Sequence, residues 1–83
     1  MAEPSALETE IRHQVRRFVA GGCTYSEIRA WVSAHSWRPS VTGDQTARRL
    51  FSGVSVRLDE YASGYWSESL LKDALADLVR DAV

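Results

Sequence analysis

One long amphipathic stretch, Asp44 to Gly64, constrains the fold of this chain more than any other feature. Its apolar residues recur at steps of one, three and four, the period of a single stripe along an α-helix. They are Ala47, Leu50, Phe51, Val54, Leu58, Tyr61 and Ala62. Asp44 is a suitable N-cap, and Gly64 can adopt the left-handed conformation that ends a helix. Because the opposite face is polar, shorter helices are expected to cover the stripe.

Two shorter helices are predicted before this stretch. Ser5 and Glu8 have the spacing of a capping box, and Gly21-Gly22 ends the helix that follows. Thr24 and Glu27 form a second capping box, which begins a helix over about residues 25–35. The apolar residues of these helices are Leu7, Ile11, Val15, Phe18 and Val19, then Ile28, Trp31 and Val32. The short glycine turn predicts antiparallel neighbours.

A fourth helix is predicted after the long one. Ser67 is placed to cap it, and Trp66 is placed to pack onto Leu71. Its apolar face is predicted to comprise Leu70, Leu71, Ala74, Leu75, Leu78 and Val79. No segment alternates polar and apolar residues with period two, so no strand is expected.

The two predicted turns resemble each other in sequence. Residues 18–27 and 61–68 each contain an aromatic residue near a helix end, a glycine stop, a second aromatic residue and then Ser-Glu. Two such hairpins, each with one apolar face, can bury those faces only against each other. We therefore expect an all-α, antiparallel four-helix bundle made of two helical hairpins with a long third helix, in one domain covering residues 1–83.

Composition excludes several classes of protein. The net charge of −1 disfavours nonspecific binding to nucleic acid, which depends on dense positive charge. The single cysteine, Cys23, cannot form an internal disulfide and indicates a reducing compartment. No apolar run approaches the ~18 residues that a membrane-spanning helix needs, and the first residues lack the cation of a secretion signal. A cytoplasmic protein is expected.

Signals of catalysis are absent from the sequence. His13 and His35 lie 22 residues apart with no cysteine or paired acid at ligand spacing, so no metal site is expected. Cys23 lacks an evident base partner, and a small buried residue is the expectation. Gly21-Gly22 lacks the Lys-Ser/Thr of a phosphate-binding loop. We expect no enzyme activity and no cofactor.

Charge is distributed unevenly along the chain. Residues 45–58 carry three arginines and no acid, whereas residues 59–83 carry six acids against Lys72 and Arg80. Asp73, Asp77 and Asp81 are spaced i, i+4 and i+8, so they form one ridge on the fourth helix. Like charges at this spacing are unfavourable, which points to a ridge that meets a cationic partner. The alternative is a ridge that is solvated or paired with arginines of the same chain.

Aromatic residues near the acids form a second candidate feature. Tyr65 and Trp66 lie in the second turn, and Trp37 follows the second helix. Exposed tyrosine and tryptophan are frequent anchors at protein interfaces. The alternative is that Trp37 covers the end of the bundle and Trp66 only packs against the fourth helix.

The residues of the first hairpin also carry a family resemblance. The segment from Val15 to Ile28, and the later pairs Leu50-Phe51 and Leu70-Leu71 with Asp59-Glu60-Tyr61 between them, resemble small helical bacteriocin immunity proteins of the colicin D type. That resemblance implies a four-helix bundle that blocks the basic active site of a tRNA-cleaving toxin domain with acidic side chains. It implies contact through Asp59, Glu60, Glu68, Asp73 and Asp77.

Two other functions are compatible with the sequence. Residues 22–29 resemble the start of a DNA-binding helix-turn-helix, with Arg48 and Arg49 on the recognition helix, although the 36–43 connection exceeds the usual three to four residues. A helical module that self-associates is the third hypothesis. We favour a module that binds a protein partner, for example a basic toxin domain, as a monomer or weak homodimer. The predicted partner-binding residues are Asp59, Glu60, Tyr65, Trp66, Glu68, Asp73, Asp77 and Asp81.

Overall fold

The helices begin and end close to where the capping chemistry places them. A computed structural model describes residues 6–37 and 45–80, and within these ranges the chain is all-helical, with no strand. The helices are α1 (Ala6–Val19), α2 (Tyr25–Ala34), α3 (Gln45–Ala62) and α4 (Glu68–Val79). The predicted caps Ser5 and Asp44 lie outside the described residues. Among the described helices α3 is the longest, as its stripe predicts.

The turns after α1 and α3 share one hydrogen-bond pattern. Gly21 and Gly64 have φ of 85° and 88°. The N–H of Gly64 donates to the carbonyl of Tyr61, and the N–H of Tyr65 donates to that of Glu60, each at 3.0 Å. Gly21 and Gly22 donate in the same way to Phe18 and Arg17. This is the Schellman motif, which satisfies the last carbonyls of a helix.

Both of the helices that follow these turns begin with a side-chain cap. Thr24 Oγ1 accepts from the N–H of Glu27, whose carboxylate accepts from the N–H of Thr24 at 2.9 Å. The hydrogen bond from the Thr24 backbone, followed by that from its hydroxyl, lowers the pKa of Glu27. Ser67 Oγ accepts from the N–H of Leu70 at 3.1 Å. The predicted turn and cap chemistry is therefore confirmed at both positions.

The core lies mainly between α1, α3 and α4, whose mutual contacts are the most extensive, and α2 adds a smaller contact with α1 and α3. The buried residues of the core are Leu7, Ile11, Val15, Phe18, Ile28, Val32, Ala47, Leu50, Phe51, Val54, Leu58, Leu71, Leu75 and Val79. Trp31, Tyr61, Trp66 and Leu78 are partly buried against it. The prediction was wrong for Ala62 and Leu70, which are exposed.

Individual contacts define which parts of the helices meet. Lys72 Nζ of α4 lies 5.3 Å from the centre of the Phe18 ring near the end of α1. The Tyr25 hydroxyl of α2 donates to the carbonyl of Leu58 in α3 at 3.2 Å. Gly53 lies so close to Leu78 that an added Cβ would be 2.9 Å from a leucine methyl carbon. A residue with a Cβ at position 53 would therefore require the Leu78 side chain to shift.

Replacing Gly64 by alanine is expected to lower the free energy of unfolding by about 1–2 kcal/mol, the cost of a left-handed conformation for a residue with a Cβ. No atom lies within 4 Å of the added Cβ, so the loss is conformational and not steric. Urea unfolding measures it, with Ser63→Ala in the same exposed turn as the control. Equal stability of the two variants would contradict the positive φ at position 64.

Candidate protein-binding surface

The exposed face of α4 brings together an apolar residue and two carboxylates. Leu70, Asp73 and Asp77 are all exposed and follow one another at i, i+3 and i+7, which places them on one side of the helix. Leu70 is 51% exposed, whereas the adjacent Leu71 is buried. We refer to Leu70, Asp73 and Asp77 as the outer stripe of α4.

The two aspartates of the outer stripe differ in their partners. Asp77 Oδ1 lies 2.8 Å from an Nη atom of Arg80, in a pair whose side chains are both more than two-thirds exposed. Exposed pairs of this kind contribute little to stability, so the pair leaves Asp77 accessible. Asp73 forms no ion pair or hydrogen bond with any described residue. Within the described chain, no arginine of α1 or α3 pairs with either aspartate, but Asp77 pairs with Arg80 of the same chain and Asp73 is exposed to solvent. The alternative of a ridge that is solvated or paired with arginines of the same chain therefore stays open.

The other predicted acidic residues are engaged within the molecule. Asp59 Oδ1 lies 2.6 Å from Arg29 Nη1, which links α3 to α2. Glu60 accepts a hydrogen bond from Trp66 Nε1 at 3.4 Å. Glu68 Oε1 lies 3.8 Å from Lys72 Nζ one turn along α4. Asp81 lies outside the described residues. Of the predicted acids that the structure describes, Asp59, Glu60, Glu68 and Asp77 each have a partner within the molecule, and Asp73 has none among the described residues.

The predicted aromatic residues also differ in exposure, since one is partly buried and two are exposed. Trp66 is partly buried against the core and bound to Glu60, so its indole holds the turn between α3 and α4 together. Tyr65 is 77% exposed. It lies two residues before Ser67, the N-cap residue of α4. Trp37 is also exposed, and its Nε1 donates to the carbonyl of Ala34 at 3.2 Å. Tyr65 is thus the aromatic residue that lies free beside the start of the outer stripe.

The side chain of Cys23 packs against the core. Cys23 is partly buried against the hydrophobic core just before the cap of α2. Burial raises the pKa of the Cys23 thiol, and Arg17 lowers it by a smaller amount. A raised pKa reduces the fraction of reactive thiolate, so this cysteine behaves as a small packing residue.

Leu70 is the surface residue that sequence reasoning misplaced. The apolar run of α4 contains two adjacent leucines, and consecutive residues of a helix point about 100° apart, so only one of them can face the centre of the core. The i, i+3, i+7 spacing of Leu70 with the two aspartates is the signal that places it on their side. The sequence shows this spacing, but the prediction assigned Leu70 to the buried face of the helix.

Searches for a metal site and for a membrane span gave negative results for the described residues. No group of three or more histidine, cysteine, aspartate or glutamate side chains in residues 6–37 and 45–80 is arranged to hold a metal ion. In the same ranges, no helix combines the length and the apolar character that crossing a bilayer requires.

Comparison with known proteins identified no relative. No family model matches the chain, and no curated protein or solved structure matches it significantly. The class of protein that the described residues define is an all-helical one in which the exposed face of α4 carries an apolar residue and two carboxylates.

Proposed function

We propose that this protein is a small cytoplasmic protein-binding module that neutralises a cationic partner through the outer stripe of α4. The observation that carries the proposal is Asp73, an exposed carboxylate without a partner among the described residues, placed between the exposed Leu70 and Asp77. An apolar side chain flanked by acids supplies both parts of a specific interface. Leucine loses water on docking, and the carboxylates steer and orient a basic surface.

The partner class follows from this chemistry and from the family resemblance. A basic nuclease domain presents cationic side chains where it binds the phosphates of RNA, and a row of carboxylates at helical spacing can occupy the same side chains. We therefore infer an immunity or inhibitor function against a nuclease-type toxin. Tyr65 and Glu68 at the start of α4 extend the surface toward the second turn.

We also infer that the helices form two antiparallel hairpins, which would present the whole outer side of α4 to the partner. The second hairpin is supported by contacts of α3, because Gly53 lies next to Leu78 late in α4 and Glu60 binds Trp66 just before α4.

Contacts between α1 and α4 and between α2 and α3 are consistent with the same antiparallel bundle. Arg12, near the middle of α1, donates to the carbonyl of Val79 at the end of α4, whereas Phe18, near the end of α1, contacts Lys72 earlier in α4. Residues later in α1 thus meet residues earlier in α4.

The same reversal occurs between α2 and α3. Tyr25 at the start of α2 contacts Leu58 and Tyr61 late in α3. Trp31 near the end of α2 lies 6.3 Å, between ring centres, from Phe51 in the first half of α3. These contacts support helices that run in opposite directions in each pair.

A helix-turn-helix DNA reader is less well supported. Such a motif joins its two helices by three or four residues. Here α2 ends at Ala34 and α3 begins at Gln45, so residues 35–44 separate them. We retain DNA binding as an outcome that the experiments can detect.

Replacing Asp73 and Asp77 together by asparagine is expected to weaken binding to the basic partner about tenfold or more, because two charge-assisted contacts become neutral. Isothermal titration calorimetry with a catalytically inactivated, basic tRNA-cleaving toxin domain measures the change. Thr9→Lys with Ser33→Lys is the matched control, since it changes the net charge of the protein by the same amount at exposed positions of α1 and α2.

Equal affinities of the two double variants would mean that net charge and not the outer stripe determines binding. Circular dichroism is expected to show the same helix content for both, because all four substituted side chains are exposed. Tight binding of duplex DNA with no binding of the nuclease domain would favour the helix-turn-helix hypothesis instead.

A further inference from the structure

A shallow groove on the first half of α3 is separate from the outer stripe of α4. Gln45, Arg48, Arg49 and Ser52 line it together with Gly53, and its volume is about 690 Å³. This volume is in the range of small-molecule sites in proteins. The four side chains lie on successive turns, so they follow about 10 Å of the helix axis.

The two arginines of the groove are not used within the described part of the molecule. Both are exposed, and neither forms an ion pair or hydrogen bond with a described residue. Other arginines are engaged, for example Arg29 with Asp59 and Arg80 with Asp77. Among the described residues, no acidic side chain lines the groove. Two adjacent guanidinium groups without a counter-charge in the described part of the chain make an attractive site for an anion.

The side chains that line the groove favour anions with several oxygen atoms. Guanidinium groups present forked donors that match the paired oxygens of phosphate groups. Gln45 and Ser52, one turn to either side of the arginines, add a neutral amide and a hydroxyl that hydrogen-bond to further oxygens. This arrangement suits a ligand with several anionic oxygens within a few ångströms of one another.

A compact ligand fits better than a nucleic acid strand. Nonspecific affinity for nucleic acid is built from many phosphate contacts, and the groove offers two arginines on a chain of net charge −1. None of the described residues that line the groove is aromatic, so these residues provide no platform on which bases could stack. We propose that the groove formed by Gln45, Arg48, Arg49 and Ser52 binds a compact polyphosphate anion of the pyrophosphate class.

Titration of the full chain with pyrophosphate, followed by NMR chemical shifts of backbone amides at about 0.1 M salt, tests the proposal. Saturable shifts are expected in residues 45–53. Arg48→Gln with Arg49→Gln is expected to weaken binding about tenfold or more through the loss of two charge-assisted contacts. Arg17→Gln with Arg57→Gln removes the same charge outside the groove and is expected to change the affinity less than about twofold.

Three outcomes would overturn the proposal. They are shifts that do not saturate, equal weakening by the two double arginine variants, and tighter binding of a 20-base-pair DNA duplex than of pyrophosphate at the same salt concentration. The Asp73→Asn, Asp77→Asn variant is expected to bind pyrophosphate at least as well as the parent. Failure of the groove proposal therefore leaves the partner-binding proposal for α4 intact, and the reverse also holds.

Discussion

Val54→Asp is expected to prevent the protein from folding at neutral pH, whereas Val56→Asp is expected to leave it folded. Val54 is fully buried in the core and Val56, two residues later in the same helix, is 46% exposed. A carboxylate at position 54 would lose its hydration without a cation or donor to compensate it. The effective penalty for an unpaired buried ion is several kcal/mol.

That penalty is comparable to the whole stability of the domain. At about 0.05–0.15 kcal/mol per residue, a chain of 83 residues has an unfolding free energy of about 4–12 kcal/mol. Far-ultraviolet circular dichroism and urea unfolding of both variants measure the difference. The two substitutions replace the same residue type by the same residue type within one helix, so helix propensity contributes equally. Similar behaviour of the two variants would show that the rotation of α3 about its axis is different from the one described.

Leu75→Ala is expected to lower the free energy of unfolding by about 2–5 kcal/mol, the range for deleting a buried leucine side chain and leaving a cavity. Leu75 is fully buried in α4, where it faces the core. A loss of this size lowers the thermal midpoint by several degrees in a domain this small. The measurement is urea unfolding, supported by differential scanning calorimetry.

Leu70→Ala is the matched control for this prediction. The substitution is the same, in the same helix, and it differs only in burial, because Leu70 is exposed. Its stability is expected to remain within about 0.5 kcal/mol of the parent. If Leu70→Ala proves as destabilising as Leu75→Ala, Leu70 is a core residue and the outer stripe loses its apolar anchor. The pair of variants therefore tests both the fold and the basis of the proposed function.

The charges of the molecule are separated between two of its helices. Arg48 and Arg49, which have no partner among the described residues, belong to the first half of α3, and the outer stripe with Asp73 and Asp77 belongs to α4. The pairs formed by Asp59 and Arg29 and by Glu68 and Lys72 neutralise charge elsewhere. A small net charge is thus compatible with two local surfaces of opposite sign, each suited to a different class of ligand.

The helix caps and turns could be predicted from the sequence because the groups that form hydrogen bonds in them lie within a few residues of one another. The cap formed by Thr24 and Glu27, the cap at Ser67, the end of α1 before Gly21-Gly22 and the left-handed Gly64 all occur as predicted. Each depends on hydrogen bonds over three to five residues, which the sequence order alone brings together. Helix periodicity likewise identified the buried residues of α1 and α3, since one face of each helix carries nearly all of its large apolar side chains.

The sequence could not show which residues of the candidate site are exposed and unpaired, because it contains similar residues that only the tertiary structure distinguishes. Leu70 and Leu71 are adjacent leucines, and the rotation of α4 against α1 and α3 buries the second and exposes the first. The acids of the C-terminal half are alike in sequence, yet Asp59 meets Arg29 from another helix while Asp73 has no partner among the described residues. Packing between helices decides which residues are buried and which charges meet, and those contacts join residues far apart in the chain. The sequence by itself therefore determined the helices and their caps, and only the packing of the helices determined which side chains remain free to bind.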